Sequence, residues 1–141
     1  PMIQLGEVYC WYAEAVARSG QGDKAKAVQL LNAVRNRADG QQSDVYPGGI
    51  SNEALAEAAY KEHGWEIAGL FYGSFAPQYF DMFRLNKVQE HFNYRVQNPG
   101  IEVAPGIIRK EPVTVTGTWS ESLLYAPYNA NDAGMNPNLN R

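Results

Sequence analysis

The chain opens with two stretches in which apolar residues recur at the three- and four-residue spacing of an amphipathic helix. In the first, from Ile3 to Ser19, the apolar positions are Leu5, Val8, Tyr9, Tyr12 and Val16. Gly20 ends this helix, and Asp23 is a favourable N-cap for a second helix that extends to about Ala38. Because the link between them is short, the two helices are expected to pack antiparallel as a helical hairpin.

A third predicted helix carries two acidic residues on its apolar face. It is predicted over residues 53–68, after a loop of turn-forming residues. Glu62 and Glu66 lie one turn apart and share their face with Leu55 and Ala59. Since an unpaired buried carboxylate is costly, at least one of the two acids is expected to pair with an arginine. The candidates are Arg35, Arg37 and Arg84.

The pattern becomes irregular towards the C-terminus. Pro77 suits the first turn of a short fourth helix. Aromatic residues at helical spacing on it are expected to be core: Tyr79, Phe80 and Phe83. Beyond about Asn86 a long irregular segment is predicted, with at most one hairpin that pairs residues 107–109 with 113–115. A segment of this kind is expected to lie across a larger body.

The composition of the chain mainly indicates which kinds of partner and structural feature are not expected. The 141 residues carry a net charge of -3 with both signs interspersed, so there is no basic stripe and nucleic acid is not expected as a partner. Cys10 is the single cysteine, so no internal disulfide can form, and it is expected to be a small buried hydrophobe. No apolar run approaches the roughly 18 residues of a membrane-spanning helix.

Few residues offer catalytic chemistry. Glu62 and Glu66 point the same way from one helix, so they are poorly placed to flank a sugar bond. A glycosidase, whose turnover would need these acids, is therefore a minor alternative. His63 and His91 have no partners at ligand spacing, so we expect solvated or capping roles for them and no metal site. Aromatic residues near the C-terminus are better ligand candidates, because flat rings stack on pyranose faces. They are Trp119, Tyr125 and Tyr128.

Five motifs occur in an order that resembles one known family. An aromatic residue precedes Ala-Glu-Ala at 12–15, and Leu-Asn-x-Val-Arg-x-Arg-Ala occupies 31–38. The acidic pair, an aromatic-Phe-Asp-Met-x-Arg segment at 79–84 and an Asn-Pro pair follow. Together they resemble the C-terminal portion of the SusD/RagB family, surface lipoproteins that capture nutrients for an outer-membrane transporter. The motif residues are Arg35, Arg37, Glu62, Glu66, Asp81, Arg84, Asn136 and Pro137.

The resemblance implies a mainly α-helical fold, in which a fragment of a tetratricopeptide-like superhelix precedes the irregular segment. Residues 1–85, with one helical hairpin, and 86–141 would together form one C-terminal domain of a longer protein. It further implies non-enzymatic binding of a nutrient, a glycan or another ligand, at the bacterial cell surface beside a SusC-like TonB-dependent transporter. A lipid anchor on the full-length protein would hold it at the outer membrane. No cofactor is implied, and no catalytic or ligand-binding residue carries over.

The sequence departs from the family pattern at two places, and one alternative function is also compatible with it. The link at 70–78 is longer and less charged than in the family, and His63 replaces an arginine, so the local charge network is expected to differ. The alternative is a tetratricopeptide-type module that binds a protein segment in its groove. Small residues of one such unit, Gly6, Ala13 and Ala25, are present. A lipoprotein signal upstream of Pro1 would favour the surface receptor over this module.

Overall fold

The computed structural model describes residues 3–67, 75–110, 115–125, 131 and 135–136. The chain divides into two compact units, residues 1–81 and 82–141. The helices with described bounds are α1 (Leu5–Ser19), α2 (Lys24–Asp39), α3 (Asn52–Ile67), α4 (Phe75–Arg84) and α5 (Val88–Gln97). They are followed by strands β1 (Gly100–Ala104) and β2 (Ile107–Lys110) and by a short 3₁₀-helix (Glu121–Leu124). The prediction of a mainly helical fold with one hairpin is confirmed.

Local interactions account for the bounds of α1 and α2. The Gln4 backbone N–H donates to Glu7 Oε2 at 2.7 Å, which satisfies one of the unpaired donors at the start of α1. Asp23 Oδ1 accepts from the Lys26 backbone N–H at 2.9 Å, as expected for an N-cap. Both helices end at a glycine in the left-handed conformation, Gly20 with φ +65° and Gly40 with φ +66°.

The core of the first unit lies between α1, α2 and α3. α1 packs against α2, as the predicted helical hairpin requires, and more extensively against α3. The buried residues are mostly small, which allows the helix backbones to approach closely: Cys10, Ala13, Ala17, Ala27, Leu31, Leu55 and Ala59. Cys10 is 1% exposed, so its prediction as a small buried hydrophobe is confirmed.

The aromatic residues of α4 do not form the predicted core. Tyr79, Phe80 and Phe83 are 39%, 65% and 41% exposed. Asp81, by contrast, is 7% exposed, so the described part of α4 directs an acidic side chain inwards. The core prediction for these three aromatic residues was therefore wrong, because helical spacing indicates which residues share a face but not which face is buried.

The second unit contains a helix where irregular structure was predicted. Every side chain of α5 is at least partly exposed, so the sequence carries no strong apolar stripe to indicate it. The predicted hairpin has one correct strand, since β2 covers 107–109, and the described strand that pairs with it is β1. Residues 113 and 114 of the predicted partner lie outside the described residues. Gly106 lies in the turn between β1 and β2 with φ +76°, a conformation that glycine adopts without strain, and it therefore favours the hairpin between these strands.

Within the described ranges, no helix combines the length and the apolar character needed to cross a bilayer.

Candidate functional site

The acidic pair on α3 is buried and extensively bonded. Glu62 is 2% exposed, and its Oε1 atom accepts from Arg35 Nε at 2.7 Å. Arg35 Nη2 lies 2.5 Å from the same oxygen, and the Tyr46 hydroxyl also donates to it. This buried carboxylate therefore has a cation and a hydroxyl as partners, which offsets the cost of its burial.

Tyr46 is the member of this cluster that no sequence motif indicated. It lies in the loop between α2 and α3, sixteen positions before Glu62, and no local signal indicates that its hydroxyl reaches that acid. Burial, followed by the hydrogen bond to Glu62, raises the pKa of Tyr46 to about 12. The hydroxyl therefore remains a proton donor at neutral pH.

Glu66 is held in the same way one turn later. Its side chain is 6% exposed and forms an ion pair with Arg37, whose own side chain is 66% exposed. Glu66 also lies against Gly6 of α1, where an added Cβ would be 2.7 Å from Glu66 Cδ. Both acids thus pair with arginines of α2, and the predicted ion-pair contact is confirmed.

Arg35 connects this cluster to an exposed aromatic residue. Its guanidinium carbon lies 4.4 Å from the ring centroid of Trp65, which is a cation–π distance. Nη1 of Arg35 also lies 3.7 Å from Asp39 Oδ1. Trp65 is itself 57% exposed.

His63 is buried, which contradicts the predicted solvated or capping role. It is 2% exposed, and its Nδ1 lies 2.5 Å from Asp81 Oδ2, which connects α3 to α4. Its Nε2 lies 4.0 Å from Glu7 Oε1 and has no hydrogen-bond partner among the described residues. The ring of Trp11 packs 5.4 Å from the His63 ring. The histidine therefore joins α1, α3 and α4.

The thiol of Cys10 lies close to the acids of this cluster. Burial first, and then the charges of Glu62, Glu66, Glu7 and Glu14, raise the pKa of Cys10 to about 12. The thiol stays protonated at neutral pH and is a poor nucleophile. Among the residues that the structure describes, no three histidine, cysteine or acidic side chains are grouped to hold a metal ion.

The arrangement is suited to holding helices together and not to turnover. Glu62 and the side chain of Glu66 are only 2% and 6% exposed, so a substrate in solvent cannot reach them. Each acid already has an arginine partner. General acid–base catalysis needs a group within hydrogen-bond reach of the substrate. These carboxylates do not meet that requirement.

The predicted aromatic ligand candidates lie in the second unit. The Trp119 ring is half-buried and packs edge-on against Phe92, with ring centroids 5.5 Å apart. Tyr125 is 67% exposed and packs edge-on against Phe83 at 6.2 Å. Arg84 and Asn136 are exposed. Tyr128 and Pro137 lie outside the described residues.

These observations define a helical protein whose buried motif acids act as structural acceptors. The SusD family model matches residues 1–140, and the chain therefore belongs to the SusD family. It is 29% identical over 107 residues to SusD-like protein P25 of Formosa agariphila, an alignment that covers 74% of this chain and 19% of that protein. The chain thus spans about a fifth of the length of this curated relative. No solved structure matches it significantly.

Proteins of the SusD family are non-enzymatic binding proteins of SusC/SusD-type nutrient uptake systems.

Proposed function

We propose that this protein binds a glycan as the surface component of a SusC/SusD-type, TonB-dependent uptake system. The observation that carries the proposal is the SusD family match over residues 1–140. In this function a SusC-like transporter in the outer membrane is the partner, and the full-length protein is held at the cell surface by a lipid anchor. No cofactor takes part.

Binding in such a system needs stacking and hydrogen bonding and no covalent chemistry. The protein would hold its ligand against the transporter as a lid. Flat aromatic rings stack on the apolar faces of pyranoses, and Tyr125 supports this function because its ring is 67% exposed. Trp119 and Tyr128 are the further candidates for the same contact.

The experiment that tests the function is affinity purification of the full-length protein from detergent-solubilised outer membranes. Mass spectrometry of the purified material is expected to identify a large TonB-dependent barrel protein. An unrelated outer-membrane lipoprotein with the same tag provides the control and should not retain the barrel. A full-length protein found in the soluble fraction, with no barrel bound, would contradict the proposal and favour a peptide-binding tetratricopeptide-type module.

A further inference from the structure

A polar cavity lies beside α2 in the first unit. Its volume is about 770 Å³, which is within the range of roughly 300–1,000 Å³ found for small-molecule sites. It opens between α2 and the loop that follows, and we refer to it as the α2 cavity. Its polar wall includes Gln29, Asn36, Arg37, Gln42, Asp44 and Tyr46.

The loop wall of the α2 cavity is fastened to the helix by two asparagines one turn apart. Asn32 accepts from the Tyr46 backbone N–H at 2.9 Å and donates to the Tyr46 carbonyl at 2.8 Å. Asn36 Oδ1 accepts from the backbone N–H groups of Ser43 and Asp44 at 3.1 and 3.2 Å, and its Nδ2 donates to Asp44 Oδ1 at 2.8 Å. Asp44 has φ +40°, which is uncommon for a residue other than glycine and is held by these bonds.

The acids of α3 position two further groups of the same wall. Glu62 accepts from the Tyr46 hydroxyl, and Glu66 pairs with Arg37. Glu62 and Glu66 therefore fix the positions of two wall residues of the α2 cavity, Tyr46 and Arg37. Side chains that are ordered before binding lose less entropy when a ligand arrives. The cavity is thus preorganised on both its loop side and its helix side.

The chemistry of the wall favours a neutral ligand with many hydroxyl groups. The side-chain amides of Gln29 and Gln42 can each donate and accept hydrogen bonds, which matches neighbouring hydroxyls on a sugar ring. Asn36 Nδ2 has one further N–H beyond its bond to Asp44 and can donate it to a ligand. Arg37 and Asp44 contribute one charge of each sign. Because the named wall has no excess of positive charge, an anionic ligand would gain no net attraction there.

We propose that the α2 cavity is a binding site for one unit of a neutral saccharide. The proposal rests on glycan binding as the function of the protein, and it adds a site in residues 1–81 to the aromatic candidates of residues 82–141. The wall residue Gln42 is exposed and serves no role in fastening the loop among the described contacts, so it can be changed without disturbing the fold.

The experiment is an NMR titration of the 141-residue chain, labelled with ¹⁵N, with D-glucose, D-galactose, D-mannose and D-xylose in turn. D-glucuronate serves as the acidic counterpart of glucose. At least one neutral sugar is expected to shift the side-chain amide signals of Asn36 and Gln42 together with the backbone amides of residues 43–46. Glucuronate is expected to bind more weakly than glucose.

A pair of neighbouring glutamines provides the matched variants. Gln42→Ala removes one hydrogen-bonding group from the wall and is expected to weaken sugar binding about two- to tenfold. Gln41→Ala removes the adjacent amide, which does not line the cavity, and should leave the dissociation constant unchanged. Equal effects of both variants, or no shift at residues 43–46 with any neutral sugar, would overturn the proposal.

Two other outcomes separate this site from the proposed function. Sugar-induced shifts confined to Trp119 and Tyr125 would overturn the α2 cavity as a saccharide site while supporting glycan binding by the protein. Tighter binding of glucuronate than of glucose at residues 43–46 would overturn the neutral class of ligand. Failure of the full-length protein to retain a transporter would contradict the proposed function independently of both results.

Discussion

At the scale of single residues, Glu62 is expected to have a large effect on stability. One of its oxygens accepts from Arg35 and Tyr46, and the residue is 2% exposed. Glu62→Ala would leave the guanidinium without its main acceptor. We expect the free energy of unfolding to fall by about 3–5 kcal/mol, the range for breaking a buried ion pair, as measured by urea denaturation.

A second acid on α3 provides the control for this prediction. Glu57 lies 3.6 Å from Lys61, and both side chains are well exposed, at 38% and 55%. Glu57→Ala is expected to change the free energy of unfolding by no more than about 1 kcal/mol, because exposed ion pairs contribute little. If the two alanine variants lost similar stability, the assignment of Glu62 as a buried structural acceptor would be incorrect.

Cys10 makes stability depend on pH in the alkaline range. Its pKa is raised from 9.0 to about 12, mainly by burial. The unfolded chain releases this proton near pH 9 while the folded chain retains it, so the stabilisation is present below pH 9 and is lost as the pH rises towards 12. The pKa of Tyr46 rises from 10.0 to about 12, so its contribution declines only above pH 10.

Between pH 9 and pH 10 the stability changes through Cys10 but not yet through Tyr46, so the effect of the cysteine can be measured separately in this pH range. Urea denaturation of Cys10→Ala between pH 9 and pH 10 is expected to give a shallower decline of the free energy of unfolding than the unmodified protein does. The slope is the informative quantity, because the smaller side chain lowers stability at every pH. An unchanged slope would mean that the folded thiol ionises as readily as the unfolded one.

Tyr125 is the residue at which ligand stacking can be tested. It is 67% exposed, and Tyr94 on α5 is similarly exposed at 63%. The test uses the glycan that the unmodified full-length protein binds best on an immobilised-glycan array. Tyr125→Ala in the full-length protein is expected to weaken binding of this glycan about two- to tenfold, because one ring contact is lost. Tyr94→Ala should bind as the unmodified protein does, and equal binding by both variants would remove Tyr125 from the site.

At the scale of elements, the contact between α1 and α3 depends on Gly6. Alanine is favoured over glycine within a helix by roughly 0.5–1 kcal/mol. At Gly6, however, the added Cβ would lie 2.7 Å from Glu66 Cδ, so the carboxylate must move within a buried contact. We expect Gly6→Ala to weaken the pairing of Glu66 with Arg37 on α2.

A double-mutant cycle measures this effect directly. The coupling energy between Arg37 and Glu66 is expected to fall towards zero in the Gly6→Ala background, from a starting value of about 1 kcal/mol or less. Gly49→Ala is the matched control, because a Cβ there meets no described atom within 4 Å. Coupling that is unchanged by Gly6→Ala would show that the helices separate slightly and leave the ion pair intact.

At the scale of the whole molecule, the proposed function predicts a location. The full-length protein in intact cells should be digested by added proteinase K, because a surface lipoprotein is exposed to the medium. A periplasmic protein of the same cells is the control and should survive until the outer membrane is opened. Protection of the full-length protein in intact cells would contradict a surface location.

Local chemistry was sufficient to predict the elements of the first unit. The predicted buried face of α1 was wrong, because Leu5 and Val8 are 65% and 43% exposed whereas Glu7 and Glu14 are buried. The helical spacing itself, with the N-cap Asp23 and the terminal Gly20, nevertheless predicted the bounds of α1 and the start of α2 to within two residues. Contacts of this kind form between residues a few positions apart, so the sequence displays them directly. α5 was missed because it has no buried stripe, and β1 was not predicted as the strand that pairs with β2.

The partners of the buried polar groups required the folded chain. The ordered motifs indicated the SusD family, and the cost of burying an unpaired carboxylate predicted an arginine partner for the acidic pair. They did not indicate that Tyr46 would reach Glu62, that His63 would be buried against Asp81, or that Asn32 and Asn36 would hold a loop over a cavity. These contacts join residues from different elements, and the free energy that selects them depends on how α1, α2 and α3 pack together. Helix spacing specifies a face, but the packed neighbours decide what that face meets.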